Sequence, residues 1–393
     1  MQRFDEDDDG LDDEVPIKSI TGYVLTREQD AIYKVFEKFL PKLQARIDIL
    51  EQATAKGKRV STEYEAQVGR IQRDLLPQLP RKLCRMCDLL FSPVYYHRLE
   101  APEFEVGMEL LIEVEEIVEQ IGSAMKLFWT ADLSQSSPTY DRDIRRYRCL
   151  RSQSKILELF KDLEELLYLY FSLIPLSEIR LLMRKSAKVA WRQIITNTLI
   201  TGQTIDKLIS WFSLSDLGII QEQWQEMAEE MEDLLEELVE FPTLNRGTLS
   251  KPLFQFIPVL KLSRLFFNKL SKLTNSEAHP ISQMSPSYLL HLLDATLPLP
   301  NEIRQHFYEI EYQPEPLRSV DSRLVCHLIT LFQIPLNILN DYLALQGANP
   351  NSPHLLHEKY LFWYAAWQCQ FFLAVRHFQV TYREVYAGFL AHP

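Results

Sequence analysis

Glycine is scarce in this chain. Only 11 occur among 393 residues, well under the usual ~7%, and no two lie closer than 12 positions apart. Loops that cradle phosphate need closely spaced glycines so that backbone N–H groups can approach the anion. Walker A and dinucleotide-binding fingerprints are therefore excluded. Because glycine destabilises helix interiors, its scarcity also predicts a helical protein.

Other absences narrow the field further. No G-x-S-x-G elbow, H-E-x-x-H pair or Glu-x-x-His pair is present, so the motifs of serine hydrolases, zincins and helical di-iron sites are missing. The five cysteines (Cys84, Cys87, Cys149, Cys326 and Cys369) are odd in number and scattered, which is unlike a disulfide framework. No Asn-x-Ser/Thr acceptor occurs. The acidic first residues resemble neither a secretory signal nor an Arg-rich presequence. A reducing compartment, cytoplasmic or nuclear, is the expectation. The most apolar stretch, Tyr360 to Val375, is interrupted by Gln368 and Gln370 and falls short of the ~20 apolar residues a membrane span requires.

What the chain has is helical periodicity. With 46% hydrophobic residues it can bury a sizeable core. Thr26 and Gln29 form a capping box that starts a helix reaching about Ala55, bent or restarted at Pro41. A second pattern, Ser61 to Phe91, breaks at Pro77 and Pro80, and a third covers Glu103 to Thr130. Ile156, Leu159, Phe160, Leu163, Leu166, Leu167 and Tyr170 follow i, i+3, i+4, i+7 spacing up to Pro175. Separate helices are expected from Ser177 to Thr201 and from Thr204 to Phe212. Ser215 caps a helix from Asp216 to Phe241, another spans Ile257 to Leu273, and a long aromatic one runs from Pro353 to Leu390. The Ile-Pro-Leu and Ile-Pro-Val pieces at Pro175, Pro258 and Pro335 read as helix starts. No strand pattern and no fixed repeat is seen. The expected fold is all-α, a multi-helix bundle of long amphipathic helices. Its expected parts are an acidic disordered tail (1–22), a bundle body (23–275) and a C-terminal helical part (276–393) packed on the body.

Charge is the more informative feature for function. The net charge is −12, and more than half of it comes from eight acids and one base in residues 1 to 14. An acidic field repels nucleic acid, so that partner is not expected. Arg180, Arg184, Lys188 and Arg192 recur every four residues as a basic stripe. Glu222, Glu226, Glu229, Glu230, Glu232, Asp233, Glu236, Glu237 and Glu240 make one helix strongly acidic. Such charges either face solvent, pair with neighbouring helices, or bind a partner protein. The acidic tail could alternatively fold over the basic stripe. Arg142, Arg145, Arg146, Arg148 and Arg151 make a further basic cluster. Lys261, Arg264, Lys269 and Lys272 give the helix at 257–273 the pattern of a peripheral membrane helix, which an ordinary core-facing helix shares.

Metal ligands are sparse. Cys84 and Cys87 read as buried small hydrophobes. His354 and His357, with Glu358 adjacent, are the better metal candidates, and no motif demands a cofactor. Thr204 to Val239 and Ile257 to Leu273 carry Trp211, Ser215, Asp216 and Trp224, an acidic helix, and then a Pro-x-x-Lys-Leu-x-Arg-Leu-Phe helix. This run resembles an uncharacterised helical protein family of rust fungi (Pucciniales). The resemblance implies a helical fold and a fungal source, and brings no activity. The leading expectation is a protein-binding or scaffold module. The alternatives are an all-α enzyme with an inter-helix pocket, which could be metal-dependent through His354, His357 and Glu358, and a peripheral membrane protein.

Overall fold

The structure, a computed structural model, describes residues 25–52, 58–91, 102–131, 144–176, 185–240, 250–272, 280–312, 320–347 and 354–391. The fold is all-α. In chain order the helices are α1 (Arg27–Gln52), α2 (Tyr64–Arg70), a π turn (Ile71–Leu75), α3 (Gln78–Phe91), α4 (Phe104–Lys126), α5 (Ile144–Leu173) and α6 (Lys185–Phe212). They continue with α7 (Asp216–Glu240), α8 (Ser250–Ser271), α9 (Pro286–Thr296), α10 (Leu299–Tyr312), α11 (Val320–Gly347) and α12 (His354–Ala391). The acidic tail lies outside the described residues.

Local chemistry accounts for many boundaries. Thr26 and Gln29 cap α1 reciprocally: the Thr26 N–H donates to Gln29 Oε1 at 2.9 Å and the Gln29 N–H to Thr26 Oγ1 at 3.2 Å. Ser215 Oγ accepts from the Gly218 N–H at 3.1 Å at the start of α7, and Ser285 Oγ from the Tyr288 N–H at 3.4 Å at the start of α9. Pro77 follows the π turn and Pro80 sits in the first turn of α3, as expected of a residue lacking an N–H.

α1 is one helix through Pro41, so the chain does not restart there. Three expectations are corrected. α6 is one helix where two were expected, running through Gly202. Pro258 and Pro335 lie inside α8 and α11 rather than at helix starts. Two strands exist, β1 (Lys58–Val60) and β2 (Trp129–Ala131), hydrogen-bonded as a two-stranded sheet. At three residues each they are too short to show alternation.

The chain forms two compact units. The first comprises 1–56, 61–129 and 153–209, and the second 57–60, 130–152 and 210–393. The division expected near residue 275 thus falls inside the second unit. In the first, α4 packs against α1 and α3, and Leu111, Val114 and Ile121 of α4, Phe36 and Leu43 of α1 and Leu83 of α3 are fully buried. Gly107 of α4 meets Leu90 of α3, where a Cβ would stand 2.6 Å from Leu90 Cδ2. Within this core Tyr170 Oη and Thr198 Oγ1 share a 2.7 Å hydrogen bond, and Thr198 Oγ1 also donates to the Ile194 carbonyl at 2.7 Å. Cys87 joins them, and burial pushes its thiol up to about 11.

The core of the second unit holds a connected set of aromatic rings among its leucines and isoleucines. Phe332 lies against Phe266, Trp367 and Phe371, with centroids 5.5, 5.3 and 4.5 Å away. The Trp367 indole donates to the Leu262 carbonyl at 2.9 Å, and that of Trp224 to Thr296 Oγ1 at 2.9 Å. Residues 327–347 of α11 are long and apolar enough to cross a membrane. Leu328, Phe332, Leu336, Leu339 and Leu343 of that segment are nonetheless core residues of this unit.

Candidate functional site

The acidic helix α7 is largely engaged inside its own unit. Arg151 Nη2 donates to both carboxylate oxygens of Glu226 at 2.8 and 2.7 Å. Gln223 Nε2 donates to the same carboxylate at 3.0 Å. Arg148 reaches Asp216 at 3.3 Å and the Phe212 carbonyl at 3.0 Å. Glu230 pairs with Arg304 at 3.3 Å and Glu232 with Arg264, while Glu222 accepts from the Trp211 indole at 2.5 Å. Burial raises the Glu230 carboxyl above its ordinary range, with Arg304 pulling the other way. Glu229, Asp233 and Glu236 are exposed and Glu237 is half-buried, so the solvated part of the acidic face is narrow. The basic cluster read at 142–151 supplies two of the partners, Arg148 and Arg151.

The remaining sequence candidates are dispersed. Arg180 and Arg184 lie outside the described residues. Lys188 belongs to α6, with its side chain outside them, and Arg192 is exposed. On α8, Arg264 is taken by Glu232 and Lys269 Nζ stands 4.3 Å above the Tyr360 ring, which leaves Lys261 and Lys272 facing solvent. Cys84 is exposed and Cys87 buried, so the two thiols do not share an environment. In α12, His357 is 1% exposed whereas Glu358 faces solvent. The side chain of His354 is outside the described residues. The structure does not bring His357 and Glu358 to one face.

A different set of metal-ligating groups does converge. Ile303 and Phe307 of α10 are buried in the aromatic core, and Arg304 turns to Glu230 of α7. These anchors set the rotation of α10, and Glu302 and His306, one helical turn apart, come alongside His327 of α11. His306 Nε2 and His327 Nδ1 are 3.1 Å apart, and His327 Nδ1 is 3.9 Å from Glu302 Oε2. The imidazoles meet almost at right angles, 87°. One ligand atom from each of the three residues lies within 4.8 Å of the others. His306 is 7% exposed, while the side chains of His327 and Glu302 are 45% and 35% exposed. Sequence reading passed over this group because it sought Glu-x-x-His. The visible half was Glu302-x-x-x-His306, and His327, 21 residues further on, has no local signal.

α12 carries a second notable feature. Its inner face (Tyr360, Tyr364, Trp367, Phe371, Val375 and Phe378) is buried. Its outer face presents Phe362, Ala366, Cys369, Leu373, Arg376 and Val380, all exposed, with Phe362 at 78%.

Residues 65–213 match a family described as a domain of unknown function (DUF8723), and residues 215–380 match another (DUF8721). The border between the matches lies near the last change of unit along the chain, at 209/210, although the first match also contains residues 130–152 of the second unit. No curated protein and no solved structure matches the chain.

Proposed function

We propose that the protein is a helical scaffold that associates with a second copy of itself along α12. The outer stripe of that helix carries the reading. Phe362, Ala366, Cys369, Leu373, Arg376 and Val380 are spaced four, three, four, three and four residues apart, the heptad rhythm of a helix seam. A helix buried on one face that also exposes Phe362, Leu373 and Val380 on the other has apolar surface left to cover. Turned antiparallel on itself about residue 371, the stripe sets Phe362 opposite Val380, Ala366 opposite Arg376 and Cys369 opposite Leu373. In every pair a smaller side chain meets a larger one, and the Arg376 stem can lie over Ala366 with its guanidinium in water. Such a contact is isologous and closes as a two-fold dimer.

The dispersed cysteines and the sequence pattern at 204–273 support the wider reading, a cytoplasmic or nuclear scaffold of fungal source. Sedimentation velocity on the full chain at micromolar concentration tests the association. A dimer is expected for the wild type, and a monomer of unchanged helicity for the Ala366→Glu/Leu373→Glu variant. A monomeric wild type would sink the proposal, as would a variant that still dimerises.

A further inference from the structure

We propose that Glu302, His306 and His327 form a binding site for a divalent transition ion of the zinc class, joining α10 to α11. The donor set is the first argument. Two imidazole nitrogens and one carboxylate oxygen suit zinc and its neighbours, cobalt and nickel. Magnesium and calcium prefer all-oxygen shells.

The distances are the second argument. Zinc sits about 2.0–2.1 Å from imidazole nitrogen and about 2.0–2.2 Å from carboxylate oxygen, so adjacent ligand atoms of a tetrahedron are about 3.3–3.5 Å apart. The imidazole nitrogens stand at 3.1 Å and the His327 nitrogen and Glu302 oxygen at 3.9 Å. Closing the shell opens the first gap by a few tenths of an ångström and shortens the second by about half an ångström. The second change is within reach of a torsion of the part-exposed Glu302 side chain.

Placement is the third argument. The ligands stand on two helices whose neighbouring residues, Ile303, Phe307, Leu328 and Phe332, are fully buried. Their backbones are therefore held before any ion arrives. Three protein ligands leave a fourth tetrahedral position. The exposure of His327 and Glu302 turns that position toward solvent, where water or a donor atom from a ligand can fill it. The inference stands apart from the pairing of α12 and uses none of the same residues.

The test uses the full chain, stripped with chelator and dialysed free of it. Zinc is titrated calorimetrically and cobalt by visible absorption, where tetrahedral coordination gives intense d–d bands. One equivalent of zinc should bind in the micromolar range or tighter and raise the melting temperature by a few degrees through mass action. His327→Asn and Glu302→Gln, both at part-exposed positions and chosen to leave the helical circular dichroism unchanged, should each weaken binding by about a hundredfold or more. Even partners one shell further out cost roughly 10–100-fold. Magnesium should give no melting shift. The proposal is overturned if the wild type takes up no zinc in that range, or if zinc binds His327→Asn and Glu302→Gln as it binds the wild type, which would place the ion at other histidines. Equal affinity for magnesium would also overturn it.

Discussion

The two units handle charge in the same way and apolar surface differently. In the first, α4 is the acidic helix: Glu115 meets Lys42 of α1 at 2.5 Å, Glu119 meets Arg46 of α1, and Glu113 meets Lys82 of α3. In the second, α7 is the acidic helix, and arginines from the start of α5, from α8 and from α10 meet it. Each unit thus places an acidic helix among basic neighbours. The cores diverge: the first is mainly aliphatic with a hydroxyl and thiol trio inside and a few isolated ring pairs, and the second, also rich in leucine and isoleucine, contains a connected set of stacked and edge-on rings around Phe332. Ion pairs of this kind add little stability individually but penalise wrong helix neighbours. The ring contacts, which depend on angle as well as distance, hold the second core in one arrangement.

The sharpest way to break this contrast is at Phe332. Truncation to alanine removes contacts to several rings at once and should cost about 3–5 kcal/mol in a denaturant melt, the range for buried aromatic deletions. Hydrogen exchange should then rise first in α8, α11 and α12. A loss below about 1 kcal/mol would mean that Phe332 is not tightly packed among the rings.

The next effect belongs to the polar trio of the first unit. The Cys87 thiol has an ordinary value of 9.0 and is held up to about 11, chiefly by burial. Between those values the unfolded chain has released the proton while the folded chain keeps it, so stability falls as pH rises from about 9 to about 11. The loss is of order 2 kcal/mol. Denaturant melts of wild type and Cys87→Ala across that window should differ in slope, the variant being flatter, and equal slopes would remove the trio from the account.

The smallest effect is expected at Lys42→Met, where a solvent-screened pair with Glu115 is lost and the melt should scarcely move. Added salt should shrink that difference. A larger, salt-insensitive loss would show that charge on α4 does more than select neighbours.

Much of the fold could be read locally, because its signals are local. The Thr26–Gln29 box, the Ser215 and Ser285 caps and the run from Ile156 to Tyr170 all act within a turn or two of themselves. The misreadings came from places where packing overrode a local cost. Gly202 costs a helix about 1 kcal/mol, but Ile194, Thr198, Ile205 and Leu208 on either side are buried, and their burial outweighs it. Pro258 and Pro335 persist inside helices because Phe256, Val259 and Leu260, and likewise Phe332, Leu336 and Leu339, are held by the aromatic core.

The units were invisible for a related reason. They interleave along the chain, and two of the changes from one to the other, at 152/153 and 209/210, fall inside α5 and α6, where no linker marks them. The acidic helix could be read as acidic, but the partners on α5, α8 and α10 that engage Asp216, Glu226, Glu230 and Glu232 could not. His306 and His327 meet only through the packing of α10 on α11, which periodicity does not encode.

Gly107 has a consequence of another kind. Every single-base change away from a glycine codon that keeps an amino acid adds at least a methyl group, and at this position the methyl would press into Leu90. The gap between α3 and α4 is therefore a one-sided tolerance, and there is no substitution small enough to probe it gently. Beside Gly347 nothing stands within 4 Å, whereas a side chain at 107 is admitted only if the Leu90 side chain turns aside or becomes smaller. The freedom of one leucine to change rotamer therefore sets how much change position 107 can absorb.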